Sequence, residues 1–412
     1  MYTTFELTHF YWINLIMSIF MNIRAIIHYF DKVLLRFRQY NKADFDKMAV
    51  VSKILFRFKR EYFDVRYPEH LIVKFDYLSD IDKIISPDND RIVLHHADHE
   101  RTIFLELPKP ILEYSAASTP FCHPRFFHEA VRTISIPTAA VPRLAERFKE
   151  SARRVVCLWK PNRSGSTLLC KLVGKADSRV LSLSEPTMSI ELDPNKDKDI
   201  YESVLWIYFR SYPNVDCIFM KPGLPLELLP TCFYKAPNFR HVFLSRRNTL
   251  DIVKSHIKYL PDCLAIKQSY IVAHNFFLQR ILVLQKYDHP DEIEQAAQEA
   301  GFGITLPEII CKFWAERQLA RNRCRINFEK TFFYEDLVKN PRPVLVAIYE
   351  LLGMPTPNLD DVDSWMENDA QAGTSISRQV TGKNENKWAA VTNDPDLKNR
   401  IEKFVNIVLN MR

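Results

Sequence analysis

The chain has 412 residues and a net charge of +6, and 47% of its residues are hydrophobic and 26% charged, as in a folded protein of one large domain or two. It contains 8 glycines, where average usage would give about 29. The first is Gly165, which excludes collagen-like repeats and glycine-rich linkers upstream of it. The sequences G-x-G-x-x-G and Walker A are absent, which excludes the nucleotide loops that they build. The positive charge favours an anionic ligand or a membrane surface, and without a binding motif we expect no nucleic-acid partner.

Residues 1–45 are predicted to form an apolar and basic helical segment. Residues 10–23 are almost wholly apolar, and Asn14, Ser18 and Asn22 recur at every fourth position, as on one stripe of a packed helix. The stretch is shorter than the ~20 residues of a membrane span. We therefore expect a packed or interfacial helix in a cytoplasmic protein, with peripheral membrane association or an N-terminal membrane anchor as the alternative.

Residues 46–150 are predicted to be a mixed α/β accessory region. A hairpin is expected over 91–105, where two apolar runs flank a polar turn. Its tip contains His95, His96 and His99, a set that invites a metal interpretation. Histidines at a hairpin tip are more often solvated, so no metal site is predicted.

The eight cysteines are widely spaced and form no C-x-x-C pair, which excludes zinc ribbons and thioredoxin-type sites. Cys157 and Cys311 lie in apolar runs and are predicted to be small buried hydrophobes, as in a reducing compartment. The single N-x-[ST] sequon, at 162–164, also favours the cytoplasm, because a glycan would block the loop considered next.

Over 151–412 strands and helices alternate. Buried-type strands are predicted at 155–159, 180–183, 215–220, 241–245 and 324–328, with helices between them such as 199–211 and 264–286. Such alternation predicts a central parallel sheet flanked by helices. The predicted fold class is therefore α/β, with the N-terminal mixed α/β region as an accessory.

The loop after the first of these strands has the composition of an anion site. It consists of Arg163, Ser164, Gly165, Ser166 and Thr167 and leads into a helix, whose first N–H groups lie at the positive end of the helix dipole. Glycine permits close approach of the backbone, the hydroxyls are donors, and the arginine adds a forked cation. An ordinary serine–threonine helix cap is the alternative interpretation.

A second strand-to-helix segment contains Arg247, Asn248, Asp251 and Ser255 at the spacing R-[ND]-P-x-D-x-x-x-S, with Thr249 in place of proline. Together the two segments resemble the PAPS-dependent sulfotransferases. In that family the first loop binds the 5′-phosphosulfate and the second segment binds the 3′-phosphate.

Three further stretches are similar to the same family. They are the sequence Y-E-D-L-V-K-N-P at 334–341, the late loop from Ser375 through Arg378 to Lys383, and Ser184-Glu185-Pro186. Arg163 places the resemblance in the branch with arginine in the first loop, which includes protein-tyrosine sulfotransferases and uncharacterised bacterial sulfotransferase-like proteins.

The resemblance implies a P-loop NTPase-like sulfotransferase fold over 151–412. It implies transfer of a sulfuryl group from PAPS to a hydroxyl or amine of a small-molecule or peptide acceptor, without a metal. The implied catalytic residues are Arg163, as the cation at the bridging oxygen, and Glu185, as the base whose pKa burial would raise. The implied cofactor-binding residues are Arg163, Ser164, Gly165, Ser166, Thr167, Arg247, Ser255, Arg378 and Lys383.

Two other functions stay open at this point, a non-catalytic nucleotide-binding relative and a P-loop-type phosphotransferase. Lys221, at the end of a predicted strand, either approaches the transferred group or extends into solvent.

Overall fold

A computed structural model describes residues 47–57, 71–150, 153–161, 163–186, 189–223, 226–248, 251–252, 255, 290–303, 306–323, 326–367, 370 and 394–411. These residues form two β-sheets with helices packed on them. The predicted segment 1–45, the predicted helix at 264–286, and Arg378 and Lys383 lie outside the described residues.

The first sheet is built mainly from the accessory region. Its strands are β1 (Met48–Arg57), β2 (Leu71–Asp80), β3 (Ile92–Ala97), β4 (Arg101–Glu106), β5 (Arg132–Pro137) and β8 (Ser189–Ile190). Their order is β2-β1-β5-β4-β3-β8. All neighbours are antiparallel except β8, which runs parallel to β3 and comes from the later part of the chain. The predicted hairpin is confirmed as β3 and β4.

The histidines of this hairpin differ from the prediction. The β3–β4 register shifts between Leu94 and His96, as at a β-bulge, where an extra residue redirects the side chains. His95 and His96 are consequently 1% and 2% exposed, so the expectation of solvated side chains is wrong for both. His99 is exposed. Within the described part of the chain, no group of three or more His, Cys, Asp or Glu side chains could hold a metal ion.

The helices described are α1 (Ile81–Ile84), α2 (Cys122–Glu129), α3 (Val141–Glu150), α4 (Ser166–Ala176), α5 (Lys198–Tyr208), α6 (Thr231–Lys235), α7 (Pro290–Glu299), α8 (Leu306–Arg323), α9 (Tyr334–Lys339), α10 (Pro341–Leu352), α11 (Val362–Glu367) and α12 (Pro395–Asn410). Local sequence explains the ends of α10. The Asn340 side chain accepts from the Arg342 N–H, Pro341 is the first helical residue, and Gly353 ends the helix in the left-handed conformation. Of the described helices, none combines the length and the apolar character needed to cross a bilayer.

The second sheet is the predicted central parallel sheet. Its strands are β6 (Arg154–Trp159), β7 (Val180–Ser184), β9 (Cys217–Lys221), β10 (Phe239–Ser245) and β11 (Lys330–Phe333). They are all parallel, in the order β11-β10-β6-β9-β7. The last strand lies later than the predicted 324–328, because α8 continues to Arg323 and the residues that pair with β10 are those leading directly into α9.

The order of the strands identifies one edge of the parallel sheet as a candidate binding site. β6 lies between β9 and β10, and the chain crosses to one side of it for β7 and β9 and to the other for β10. Ligands of open α/β sheets bind at such a switch point, beyond the carboxyl ends of the strands. The segments that follow β6 and β10 therefore meet at this edge.

The two faces of β6 pack against different parts of the molecule. Val155, Cys157 and Trp159 belong to a hydrophobic cluster that also contains buried side chains of the accessory region. Val156 and Leu158 belong to a second cluster with side chains of α4 and α10. The accessory region therefore shares a core with one face of the parallel sheet. Cys157 and Cys311 are buried free thiols, as predicted.

Arg210 adds a polar contact between the two regions. Its side chain is 2% exposed and donates to the carbonyl oxygens of Ser86, Asn89 and Ile92. Its guanidinium carbon lies 4.7 Å from the centre of the Tyr212 ring. A buried guanidinium satisfied by backbone carbonyls fixes the segment before β3 to the end of α5.

Candidate active site

The loop between β6 and α4 has a tightly curled backbone. Arg163 and Gly165 both have positive φ angles, +64° and +88°. Gly165 is the N-cap of α4 and supplies no side chain to cap it, so the first N–H groups of the helix keep their capacity to bind an anion. Ser164 is fully buried, and its hydroxyl has no hydrogen-bond partner among the described residues. These features fit a loop that surrounds an oxyanion.

Two motifs that are far apart in sequence meet at this loop. The Arg163 Nε donates to the Ser255 hydroxyl at 3.1 Å. The Arg246 Nε donates to the Arg163 carbonyl oxygen at 2.9 Å. The loop after β6 is therefore held from its side chain and from its backbone by the segment that follows β10.

Tyr334, the first residue of α9, closes the other side of the loop. A β-carbon added to Gly165 would lie 2.2 Å from Cδ2 of its ring. The guanidinium carbon of Arg246 lies 4.2 Å from the centre of the same ring, within the range of a cation–π contact. We expected Gly165 to allow a phosphate to approach; what the structure shows is that Gly165 makes room for the Tyr334 ring.

A charged group lies where three neighbouring strands of the parallel sheet end. It comprises Lys160 after β6, Lys221 at the end of β9 and Glu185 after β7, and we refer to these three residues as the strand-end cluster. The Glu185 Oε1 lies 3.1 Å from the Lys221 Nζ and 3.3 Å from the Lys160 Nζ. The Lys221 Nζ also lies 3.1 Å from the hydroxyl of Thr167 in α4. This chain of contacts joins the cluster to the anion loop.

The charges in the strand-end cluster change the pKa values of its members. Burial alone would raise the pKa of Glu185, but the charges and hydrogen bonds of Lys221 and Lys160 outweigh burial and hold it well below its usual range. Our expectation of a raised pKa for Glu185 is therefore wrong. Burial, with repulsion from Lys221 and Arg317, lowers the pKa of Lys160 to about 8 against the attraction of Glu185. At neutral pH the carboxyl group is charged and Lys160 is close to its titration range.

The backbone of Glu185 is also unusual. Its φ is +51°, a left-handed conformation that costs a residue with a β-carbon about 1 kcal/mol or more. The Glu185 N–H donates to the Lys221 carbonyl oxygen at 3.0 Å. A backbone hydrogen bond and two lysine contacts thus hold this carboxylate in one place.

Arg247 points toward a different neighbour from the one expected. Its guanidinium makes two hydrogen bonds to the Asp336 carboxylate, at 2.8 and 2.6 Å, and its guanidinium carbon lies 4.6 Å from the centre of the Phe333 ring. The Arg247 N–H donates to Glu335. About half of the Arg247 side chain is exposed. A ligand phosphate would compete with Asp336 for this arginine.

The accessory region reaches the site at the start of α2. The Phe121 ring lies under the ammonium group of Lys221, with 5.3 Å between the Nζ and the ring centre. Lys221 is only 1% exposed, so the alternative that it extends into solvent is wrong.

The structure brings most of the predicted site residues to one edge of the parallel sheet. Around the β6–α4 loop lie Arg163, Ser164, Gly165, Ser166, Thr167 and Ser255, with Glu185 one lysine away. Arg247 lies beside α9. The sequence analysis missed Lys160, Arg246 and Tyr334. A signal existed for Lys160, because it directly follows a buried strand at the edge where the carboxyl ends of parallel strands meet.

Neither a protein-family model nor a curated protein matches the chain. Two solved structures are similar to it. One is a sulfotransferase domain from the curacin biosynthetic pathway, with 14% identity and a TM-score of 0.29 over 63% of this chain and 98% of that one. The other is a sulfotransferase domain from the Synechococcus PCC 7002 olefin synthase, with 14% identity and a TM-score of 0.25 over 62% of this chain and 93% of that one. These likenesses are remote.

Proposed function

We propose that the protein is a sulfotransferase that moves a sulfuryl group from PAPS to a hydroxyl or amine of a small-molecule or peptide acceptor. The observation that carries the proposal is the hydrogen bond between Arg163 and Ser255. It joins the loop assigned to the phosphosulfate with the segment assigned to the 3′-phosphate. The two motifs whose spacing suggested the family thus come together at the switch point of the sheet.

The β6–α4 loop fits the phosphosulfate end of PAPS. Its helix start has no side-chain cap, and the Ser164 hydroxyl is buried without a partner in the described residues. Ser166 and Thr167 add hydroxyls at the first turn of α4. In the proposed complex these groups bind the 5′-phosphate oxygens, and Arg163 is the cation at the bridging oxygen.

We assign the 3′-phosphate to Ser255 and Arg247. Arg247 is available only if its two hydrogen bonds to Asp336 are exchanged for bonds to the phosphate. Guanidinium binds carboxylate and phosphate with the same forked geometry, so the exchange replaces one bidentate partner with another. Arg378 and Lys383, which lie outside the described residues, remain part of this assignment.

When bound, PAPS supplies the sulfuryl group, and charge develops on the phosphate that departs. Lys221 can stabilise this charge, because its ammonium group contacts Thr167 of the anion loop and is almost wholly removed from water. A fixed cation in a site of low dielectric interacts with developing charge far more strongly than one in water.

Calorimetry on the full chain tests the proposal. We expect adenosine 3′,5′-bisphosphate to bind more tightly than AMP. We also expect Arg247→Ala to weaken the binding of adenosine 3′,5′-bisphosphate much more than the binding of AMP. Arg240→Ala is the matched control, because Arg240 lies on β10, the strand that precedes Arg247, and also pairs with a carboxylate, that of Glu329. Absence of binding by the unmodified protein would overturn the proposed cofactor. An equal loss of affinity for the two nucleotides in Arg247→Ala would show that Arg247 does not bind the 3′-phosphate.

A further inference from the structure

We propose, resting on the function above, that Lys160 is the group that takes the proton from the acceptor, with Glu185 as its positioning residue. Nothing in the sequence motifs assigns Lys160 a role. The inference comes from the strand-end cluster, in which one carboxylate oxygen serves two lysines.

The two lysines of the cluster differ in their contacts. Lys221 is enclosed, since its Nζ lies near Glu185, the Thr167 hydroxyl and the Phe121 ring, and its side chain is 2% exposed. The Lys160 side chain is 14% exposed, so an acceptor or water can reach it. Lys221 is therefore suited to a fixed charge, and Lys160 to proton exchange.

Burial in the strand-end cluster favours the loss of the proton from Lys160. The groups that face it are Glu185 after β7, Lys221 of β9 and Arg317 of α8. With both lysines protonated, two ammonium groups and a guanidinium face a single carboxylate. Deprotonation of Lys160 removes a charge from a buried site and relieves its repulsion by Lys221 and Arg317, in agreement with its lowered pKa of about 8.

Glu185 is less suited to the same task. Its carboxylate accepts from two lysines, and its pKa is held well below the usual range. A base is most effective when its pKa lies near the working pH. Glu185 instead holds the Lys160 amine at the edge of the sheet.

Transfer of the sulfuryl group moves one proton from the acceptor to Lys160. As the bond from the acceptor oxygen or nitrogen to sulfur forms, the bond from sulfur to the bridging phosphate oxygen breaks, and its electron pair stays on adenosine 3′,5′-bisphosphate. The acceptor proton moves to the neutral Lys160 Nζ. The resulting ammonium is stabilised by Glu185 and returns its proton to solvent.

The test compares Lys160→Met and Lys160→Arg with Lys312→Met. Lys312 is a matched control, because it is also largely buried and paired with a carboxylate, Glu294, at 2.8 Å. Each variant is assayed for binding of adenosine 3′,5′-bisphosphate and for turnover of sulfur-labelled PAPS. The acceptors are water and a panel of phenols, sugars, lipids and tyrosine peptides.

We expect kcat of the unmodified enzyme to rise with pH and level off above about 8. Both Lys160 variants should lose about 10² to 10⁴-fold in kcat and keep nucleotide affinity within about twofold. Arginine retains the charge but cannot act as a base, so an active Lys160→Arg would overturn the proposal. A full loss in Glu185→Gln with an unaffected Lys160→Met would also overturn it.

The two proposals fail in different ways. If the unmodified protein neither binds adenosine 3′,5′-bisphosphate nor turns over PAPS, the proposed function fails and the role of Lys160 fails with it. If it turns over PAPS and Lys160→Met is as fast, only the role of Lys160 fails.

A second measurement does not depend on the variants folding. Competitive acetylation of the unmodified protein, followed by peptide mass spectrometry across a pH series, yields the pKa of individual lysines. Lys160 should lose its proton near pH 8. Loss of the proton only near the ordinary lysine value of about 10.4 would overturn the proposal.

Discussion

The ring of Tyr334 occupies the space that a side chain on Gly165 would need, since a β-carbon there would lie 2.2 Å from Cδ2 of the ring. The first glycine of this glycine-poor chain is thus required by packing within the protein. Tyr334 is held in turn by the guanidinium of Arg246, so the loop, the ring and the arginine form one layered contact.

Gly165→Ala should lower the free energy of unfolding by about 3 kcal/mol. This is the cost of holding an alanine in a left-handed conformation plus the cost of displacing the Tyr334 ring. Gly301→Ala isolates the first contribution, because Gly301 has a similar φ of +73° and, among the described residues, a β-carbon there would meet only the Arg400 Cδ, at 3.6 Å. We expect Gly301→Ala to lower the free energy of unfolding by about 1 kcal/mol. Urea unfolding measures both values, and equal losses would contradict the role of the ring.

Asp336→Asn should tighten binding of adenosine 3′,5′-bisphosphate several-fold and leave AMP unchanged, because it frees Arg247 from a bidentate carboxylate. Asp363→Asn, at a side chain that is 80% exposed, controls for the change in net charge. Titration calorimetry with both nucleotides measures the effect. If Asp336→Asn and Asp363→Asn behave alike, Arg247 does not bind the 3′-phosphate.

The lowered pKa of Lys160 also predicts how stability depends on pH. Between about 8 and its unfolded value near 10.5, the unfolded chain binds a proton at Lys160 that the folded chain has lost, so this residue makes stability rise with pH. Lys160→Met removes the rise. The unfolding free energy of the unmodified protein, minus that of Lys160→Met, should therefore rise by about 2 kcal/mol from pH 7 to pH 10.

Comparison with the variant removes the opposing effect of the buried thiols and tyrosines, whose pKa values burial raises. Chemical unfolding at several pH values is the measurement. A difference that stays constant across this range would show that Lys160 titrates normally in the folded protein.

Arg210→Leu should cost about 3 kcal/mol of unfolding free energy, because it leaves the carbonyl oxygens of Ser86, Asn89 and Ile92 without their buried donor. Arg342→Leu is the control. The Arg342 side chain is 42% exposed and pairs with Asp363, whose side chain is 80% exposed, so its loss should change stability little. Similar results for the two variants would mean that the carbonyls find water when Arg210 is removed.

Apolar runs predicted the parallel sheet, and the family resemblance assigned Arg163 and Ser255, which the structure brings into contact, to one cofactor. The first prediction follows from local patterns, since strands buried on both faces are continuous apolar runs. The buried positions of His95 and His96 could not be predicted, because they depend on a register shift against β4. The displaced last strand likewise reflects the extent of α8 and the register with β10.

The electrostatics of the site were the least predictable feature. We expected burial to raise the pKa of Glu185. In the folded protein, however, Lys160 and Lys221 are buried beside its carboxylate. We expected the Arg247 side chain to face a ligand. Instead it is hydrogen-bonded to Asp336, which lies 89 residues later in the chain. Pairings of this kind depend on the tertiary fold, and motif spacing carries no information about them.

The core shared by the accessory region and the parallel sheet limits how the protein can be shortened. A fragment beginning at residue 151 would leave Val155, Cys157 and Trp159 without the side chains that cover them, and β8 would lose its partner β3. Such a fragment would expose an apolar surface and an unpaired β-strand, and we expect it to aggregate. Recombinant production of this enzyme candidate should therefore keep residues 47–150 attached.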